Sequence, residues 1–248
     1  MVAPTQYPTE TVVVAGTGPA CTGIAQIIAV AGYHTTLCGH SDGLEAARVE
    51  VDGGRFGLLA AADAGRISSD ERLETLERLR FSDDPATAGA NADLAVVSHR
   101  GRTGTLAPLL RDLETHLPPA AVLAVDSGGE PLAALTDGLQ RPGRLVGWHW
   151  GRPPPLNKLA EIVVGAATSP AAVEIVVQVA RRAGKNPVVI ADAAGSWGYV
   201  TNRVWSALQA EAGRIVADGV AGADQVDRLL VDCFGWPSGP FGRGTEPH

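Results

Sequence analysis

Thr11-Val12-Val13-Val14-Ala15-Gly16-Thr17-Gly18-Pro19 is the stretch that decides the architecture of this chain. The β-branched run Thr11 to Ala15 reads as a short buried strand. Gly16-Thr17-Gly18-Pro19 turns the chain, and Thr22 to Ala31 reads as an apolar helix ended by Gly32. Thr35-Thr36-Leu37-Cys38 is a second strand, so residues 11–38 form one βαβ unit. A strand, then Gly-x-Gly, then a helix is the entry to a dinucleotide site. The first glycine makes the tight turn, and the second lets backbone N–H groups meet a pyrophosphate at the helix N-terminus. The candidate cofactor-binding residues are Gly16, Gly18, Pro19 and Ala20 on the turn, with Gly39, His40 and Ser41 after the second strand.

Two positions depart from the dinucleotide fingerprint. Its third glycine falls on Cys21, which is small but alters the packing of helix on strand. The acidic residue expected at the end of the second strand is absent, since the positions read Cys38-Gly39-His40-Ser41, and Asp42 lies farther on. His40 and Ser41 are instead placed to meet a 2′-phosphate, so the expected cofactor is NAD or NADP, with NADP slightly favoured. The plainer alternative is a tight turn in a fold that no longer holds a dinucleotide.

Outward from this unit the pattern of strands and helices continues. Leu44 to Val51 starts a helix, and Ser69 to Arg80 carries Leu73, Leu76 and Leu79 at helical spacing. Leu94 to Val97 is a strand, Thr105 to Leu117 a helix and Ala121 to Val125 a strand. Leu145 to Gly147, Ile162 to Val164 and Pro187 to Ala191 are further strands, the last preceded by a helix over Ala171 to Ala183. After that only helical patterns follow, Tyr199 to Gly219 and Asp224 to Cys233, and then a Gly/Pro-rich tail, Gly235 to His248. The expected fold class is α/β: a Rossmann-like doubly wound sheet followed by a small, truncated all-helical C-terminal domain. The expected division is residues 1–194 for the dinucleotide-binding domain and 195–248 for the helical one.

Bulk properties exclude several classes. The 27 acidic against 20 basic residues give a formal net charge of -7, which argues against a nucleic-acid partner. No apolar run is long enough to span a bilayer, so no membrane association is expected. Met1 to Glu10 lacks a basic region followed by an apolar one and is not read as a secretory signal. Three cysteines, Cys21, Cys38 and Cys233, without metal-ligand spacing fit a reducing cytoplasm and no disulfide framework. His40, His99 and His116 form no ligand cluster, so no metal is expected.

The chemistry lies in Gly147-Trp148-His149-Trp150-Gly151-Arg152-Pro153-Pro154-Pro155-Leu156-Asn157-Lys158-Leu159-Ala160-Glu161. A histidine follows an apolar strand, three prolines stiffen the connection, and a glutamate opens a second apolar run. Such a connection can bring the second strand back beside the first, with Glu161 facing His149. A carboxylate on one imidazole nitrogen sets the tautomer and stabilises the protonated ring, as a general base for an alcohol needs. The plainer alternative for His149 alone is a packed core residue beside two tryptophans, and for Glu161 alone a strand-end surface carboxylate.

Taken together these segments resemble the 3-hydroxyacyl-CoA dehydrogenase family over nearly the whole chain. Gly16 to Gln26 is similar to its GxGxxGxGIAQ opening, and Gly147 to Ile162 to its G-x-H-F-F-N-P-x-x-x-x-K-L-V-E-V signature. Gly198 to Arg203 resembles its G-F-x-x-N-R segment and Pro237 to Phe241 its Pro-x-Gly-Pro-Phe. The resemblance implies reversible oxidation of a 3-hydroxyacyl thioester, with His149 as general base, Glu161 as its partner and Asn202 near the reacting oxygen. The family's substrate-contacting serine aligns with Gly128, and the adjacent Ser127 is the candidate substitute, although Asp126-Ser127-Gly128-Gly129 is also turn composition. The signature asparagine is Arg152, and the chain ends soon after Phe241, where the family continues through helices that help it dimerise. Expected partners are an acyl thioester or polyketide-like substrate and a second copy in a homodimer. The alternatives are a homologue that uses the His-Glu pair for cyclisation, dehydration or another proton transfer without nicotinamide, and a non-catalytic binding protein.

Overall fold

The computed structural model describes residues 9–98, 104–192 and 198–242. The chain divides into two compact units, Met1–Gly195 and Ser196–His248. The division expected at residues 194 and 195 falls within 193–197, outside the described residues, as do His99 and the end of the tail.

In the first unit β1 (Thr11–Ala15), α1 (Pro19–Val30) and β2 (His34–Cys38) form the opening βαβ unit. Three helices follow, α2 (Ser41–Gly53), α3 (Leu58–Asp63) and α4 (Ser69–Arg78), then β3 (Leu79–Ser82) and α5 (Pro85–Gly89). Next come β4 (Leu94–Ser98), α6 (Leu106–Thr115), β5 (Val122–Asp126) and α7 (Leu132–Leu135). The unit closes with β6 (Leu145–Trp150), β7 (Leu159–Val164), α8 (Pro170–Arg182) and β8 (Asn186–Ala191). The second unit holds α9 (Val200–Ala217) and α10 (Ala223–Phe234).

The strands make one sheet in the order β3-β2-β1-β4-β5-β6-β7-β8, in which β6 and β7 are antiparallel and every other pair is parallel. This is the Rossmann-like doubly wound class, with a helical C-terminal unit. The strand order reverses between β1 and β4, and ligands of such sheets bind in the crevice beyond the strand ends there.

Two local expectations are corrected. The helix placed over Ser69 to Arg80 stops at Arg78, and Leu79–Ser82 is an edge strand in register with Thr35 to Cys38. The helix start is fixed by a capping box between Ser68 and Glu71, but pairing with β2 takes the last leucine of the helical pattern and buries it. The strand placed over Leu145 to Gly147 runs on to Trp150, because β7 pairs with residues 147–150. His149 therefore lies within the strand, not after it.

The core explains the tryptophans. Trp148 and Trp150 stack with centroids 4.2 Å apart and lie in one buried cluster with Ile24 and Ile28 of α1 and Val176 and Val179 of α8. Side chains alternate across a strand, so His149 between them faces the other side of the sheet. Ten consecutive residues of α1, Ala20 to Ala29, are buried, which suits a helix with few charges packed between the sheet and α2 and α4. Trp148 is fully buried, so Trp148→Ala is expected to lower the unfolding free energy by about 3–5 kcal/mol, measured by denaturant unfolding. A loss below about 1 kcal/mol would contradict this packing.

Candidate active site

The glycine turn is built to admit an anion. Gly16 sits at φ +118°, and a Cβ there would lie 2.6 Å from Cys21 Sγ. Only glycine holds this turn, and Cys21 fills the space that the missing third glycine leaves. The Cys21 thiol donates to the carbonyl of Ser98 at 3.2 Å, tying the start of α1 to the end of β4. Burial, and then the charge of Asp126, push this thiol above its ordinary range. Gly18 caps α1 and Pro19 follows it, and no side chain bonds to the first helical N–H groups. The Ala20 and Cys21 N–H groups thus face outward at the positive end of the helix, as a pyrophosphate requires. These residues fit a dinucleotide.

Beside the turn, the ends of β2 and β3 make an acidic rim. The Gly39 N–H donates to Ser82 O at 3.1 Å, and a Cβ on Gly39 would lie 2.5 Å from Thr17 Cγ2, so glycine lets the turn and the strand end meet. The Ser41 hydroxyl donates to Asp83 Oδ2 at 2.8 Å. Sequence reading missed Asp83 because it follows β3, which was not expected; the tertiary pairing of β2 with β3 brings it to Ser41. His40 is exposed and precedes α2. Cys38, buried beneath, is pushed up by burial and by Asp84 and Asp83.

At the other end of the crevice His149 and Glu161 stand opposite each other on β6 and β7. Nδ1 of His149 lies 2.6 Å from Glu161 Oε2, and the two residues are 1% and 3% exposed. Where Glu161 is ionised it only accepts, so Nδ1 is the donor of this bond.

The turn after β5 holds Ser127. Its hydroxyl donates to Glu130 O at 3.0 Å and accepts from Gly129 N at 3.3 Å, which is turn chemistry. Asp126, one residue earlier and 2% exposed, accepts from Ser98 Oγ at 2.9 Å and from Arg152 Nη2 at 3.3 Å. The arginine at the signature's asparagine position is thus ion-paired with the end of β5. The proline connection is held from below by Lys185, a buried residue whose ammonium donates to Pro154 O and to Asn157 O at 2.6 Å and lies 5.6 Å from the Trp150 ring.

Asn202 lies in the first turn of α9, in the second unit, and is buried. Among the described residues no three metal-ligating side chains cluster, and no helix is long and apolar enough to cross a membrane.

A Rossmann-like sheet with an open glycine turn and a buried His-Glu pair at its strand ends defines a class of nucleotide-binding oxidoreductase folds. Within that class the chain belongs to the 3-hydroxyacyl-CoA dehydrogenase family: residues 11–193 match its NAD binding domain and residues 198–246 its C-terminal domain. The 3-hydroxyadipyl-CoA dehydrogenase of Escherichia coli strain K12 is 30% identical over 232 residues, 94% of this chain and 48% of that protein. A probable 3-hydroxybutyryl-CoA dehydrogenase of Bacillus subtilis strain 168 is 28% identical, over 93% of this chain and 78% of that one. The chain therefore spans about half of the first relative and more of the second. The crystal structure of an E. coli K12 3-hydroxybutyryl-CoA dehydrogenase superposes with a TM-score of 0.86 at 28% identity, covering 94% of this chain and 48% of that one.

The three cysteines give a test of this packing. Cys21 and Cys38 are buried with raised thiols, whereas Cys233 is exposed on α10. Iodoacetamide at neutral pH is expected to modify Cys233 alone in the folded chain, and all three on unfolding, read by peptide mass. Rapid native labelling of Cys21 would contradict the closed turn.

Proposed function

We propose that this protein is an NAD-dependent oxidoreductase interconverting a 3-hydroxyacyl and a 3-ketoacyl thioester. The observation that carries it is the buried 2.6 Å contact between His149 and Glu161 at the strand ends of a nucleotide-binding sheet. The nicotinamide, when bound, supplies the acceptor or donor of hydride. His149 Nε2 takes the hydroxyl proton in oxidation and returns it in reduction. Glu161 holds the ring by Nδ1 and balances the positive charge as the imidazolium forms. Asn202, matched to the family's G-F-x-x-N-R segment, is assigned to the substrate oxygen. The geometry of Ser127 supports a turn role more than a catalytic one. Acyl-CoA substrates are supported by the names of the relatives, and a homodimer by the family resemblance.

Within this reading the coenzyme is NAD rather than NADP. The Ser41 hydroxyl already donates to Asp83, so a carboxylate occupies the place read from sequence as suited to a 2′-phosphate. Residues 39–45 and 81–87 hold Asp42, Glu45, Asp83 and Asp84, and the cation beside them, Arg48 over the Phe81 ring at 4.2 Å, lies 3.9 Å from the Glu45 carboxylate. A 2′-phosphate there meets like charge, whereas a 2′-hydroxyl donates to a carboxylate.

Two measurements test these assignments. Titration by nicotinamide fluorescence is expected to give NADH a dissociation constant at least about tenfold below that of NADPH, with Asp83→Ser narrowing the gap. Tighter NADPH binding would reverse the coenzyme assignment, and binding of neither would move the site to a non-redox use of the pair. His149→Ala is expected to lower kcat on acetoacetyl-CoA by about 10²–10⁴-fold, and Glu161→Gln by a smaller factor, with NADH binding retained. Full activity of His149→Ala on an accepted substrate would refute the mechanism.

A further inference from the structure

A second cavity lies on the face of the sheet opposite His149. It is a groove of about 480 Å³ between the C-terminal halves of α1 and α8, α3 and the proline connection. That is within the usual range of small-ligand sites. Its wall carries Arg66, Lys158, Arg182 and Lys185, with Gln26 as the other long polar side chain and no aspartate or glutamate.

The charge distribution is what distinguishes this groove. Four cations share this wall with no carboxylate among them, in a chain with 27 acidic residues against 20 basic ones. Among the described residues the ion pairs engage Arg48, Arg72, Arg78, Arg141, Arg152, Arg214 and Arg228, but none of the four cations of the groove. Arg182 stacks on Tyr33 at 4.7 Å and lies in the last turn of α8, where it also answers the helix dipole. Lys158 lies on a connecting segment, and Arg66, just past the end of α3, donates to Ala60 O at 3.4 Å. Lys185 is 6% exposed, and a buried charge without a counter-ion is costly. Burial lowers its ammonium to about 8, and an anion beside it would reverse that effect.

We propose that this groove binds a phosphate- or pyrophosphate-bearing ligand. Two exposed guanidinium groups supply planar, forked donors for phosphate oxygens, Lys158 supplies a point charge, and Lys185 a buried one at the back wall. The apolar side chains of Ile27, Leu58 and Leu156 give the floor on which an attached ring or chain can rest. Because the groove and the His149 pair lie on opposite faces of the sheet, a ligand here is held apart from the proton-transfer centre. Its phosphate can come from the carrier end of a thioester substrate or from a separate nucleotide.

The test is calorimetric binding of coenzyme A, dephospho-coenzyme A and inorganic pyrophosphate to the wild-type chain and to Arg66→Glu, Lys158→Glu and their double variant. Both residues are exposed, and Lys185, which holds the proline connection, is left intact. Pyrophosphate is expected to bind the wild type, to bind the double variant at least about tenfold more weakly, and to weaken with added salt, while NADH affinity is unchanged. If the phosphate is that of the carrier, coenzyme A displaces pyrophosphate from the groove, and its dephospho form binds more weakly where the 3′-phosphate rather than the diphosphate is the group held. The double variant then raises KM for acetoacetyl-CoA but not for the N-acetylcysteamine thioester. If it belongs to a separate nucleotide, pyrophosphate binding is lost with both KM values unchanged. Pyrophosphate and coenzyme A affinities that are the same in wild type and double variant, or no pyrophosphate binding by the wild type, would overturn the assignment. These binding readouts stand whether or not the chain turns over a thioester, so failure of the dehydrogenase reading is seen separately.

Discussion

The contact on which the candidate site depends is the one between His149 and Glu161. Both are almost wholly removed from water, and a buried carboxylate is tolerated only where it is hydrogen-bonded or paired. That requirement fixes the register of β6 on β7, since a slip of one residue would turn Glu161 to the other face and set it against the tryptophans. It also explains why the one antiparallel pair of the sheet occurs here. A parallel partner would need a long crossover, whereas the short proline connection returns the chain beside itself and places two facing side chains at one strand end. Trp148 and Trp150 on the opposite face lock that register from below by packing on α1 and α8.

Around this pair the crevice is divided by charge. At the β2–β3 edge Asp83, Asp84 and Asp42 make an acidic rim next to the uncapped start of α1. At the centre Ser98, Asp126 and Arg152 join the ends of β4 and β5 to the segment after β6. On the far face of the sheet the cations gather in the groove beneath the proline connection. Helix start, rim and central pair thus present, in order, the positive end of a helix dipole, a row of carboxylates and an ion pair. Cys21 links the first to the last, since its thiol bonds Ser98 and its side chain fills the space beneath the Gly16 turn.

Much of this was legible in the chain itself. The run Thr11 to Ala15, the Gly16-Thr17-Gly18 turn and the apolar helix gave the sheet class, because local periodicity and turn chemistry suffice for a βαβ unit. The stretch Gly147 to Glu161 gave the pair, because prolines constrain the backbone wherever they stand. What the chain did not disclose were pairings between distant segments. Leu79 obeys the helical spacing of its neighbours, yet lies in β3 because β2 offers it a ladder of hydrogen bonds and a buried face. Asp83, carried in by that strand, was therefore invisible as a partner of Ser41, and the second strand looked devoid of acid.

The sequence by itself determined most of the elements, the class of sheet, the glycine turn and the facing of His149 and Glu161, all of which rest on local backbone constraints. Only the tertiary structure decided which side chains share a place: Asp83 with Ser41, Arg152 with Asp126, Lys185 under the proline connection, and four cations on one groove. Electrostatic partners act through space, and the residues concerned are separated by 26 or more positions in the first two cases alone. No periodicity or spacing records such distances, so charge complementarity is a property of the fold.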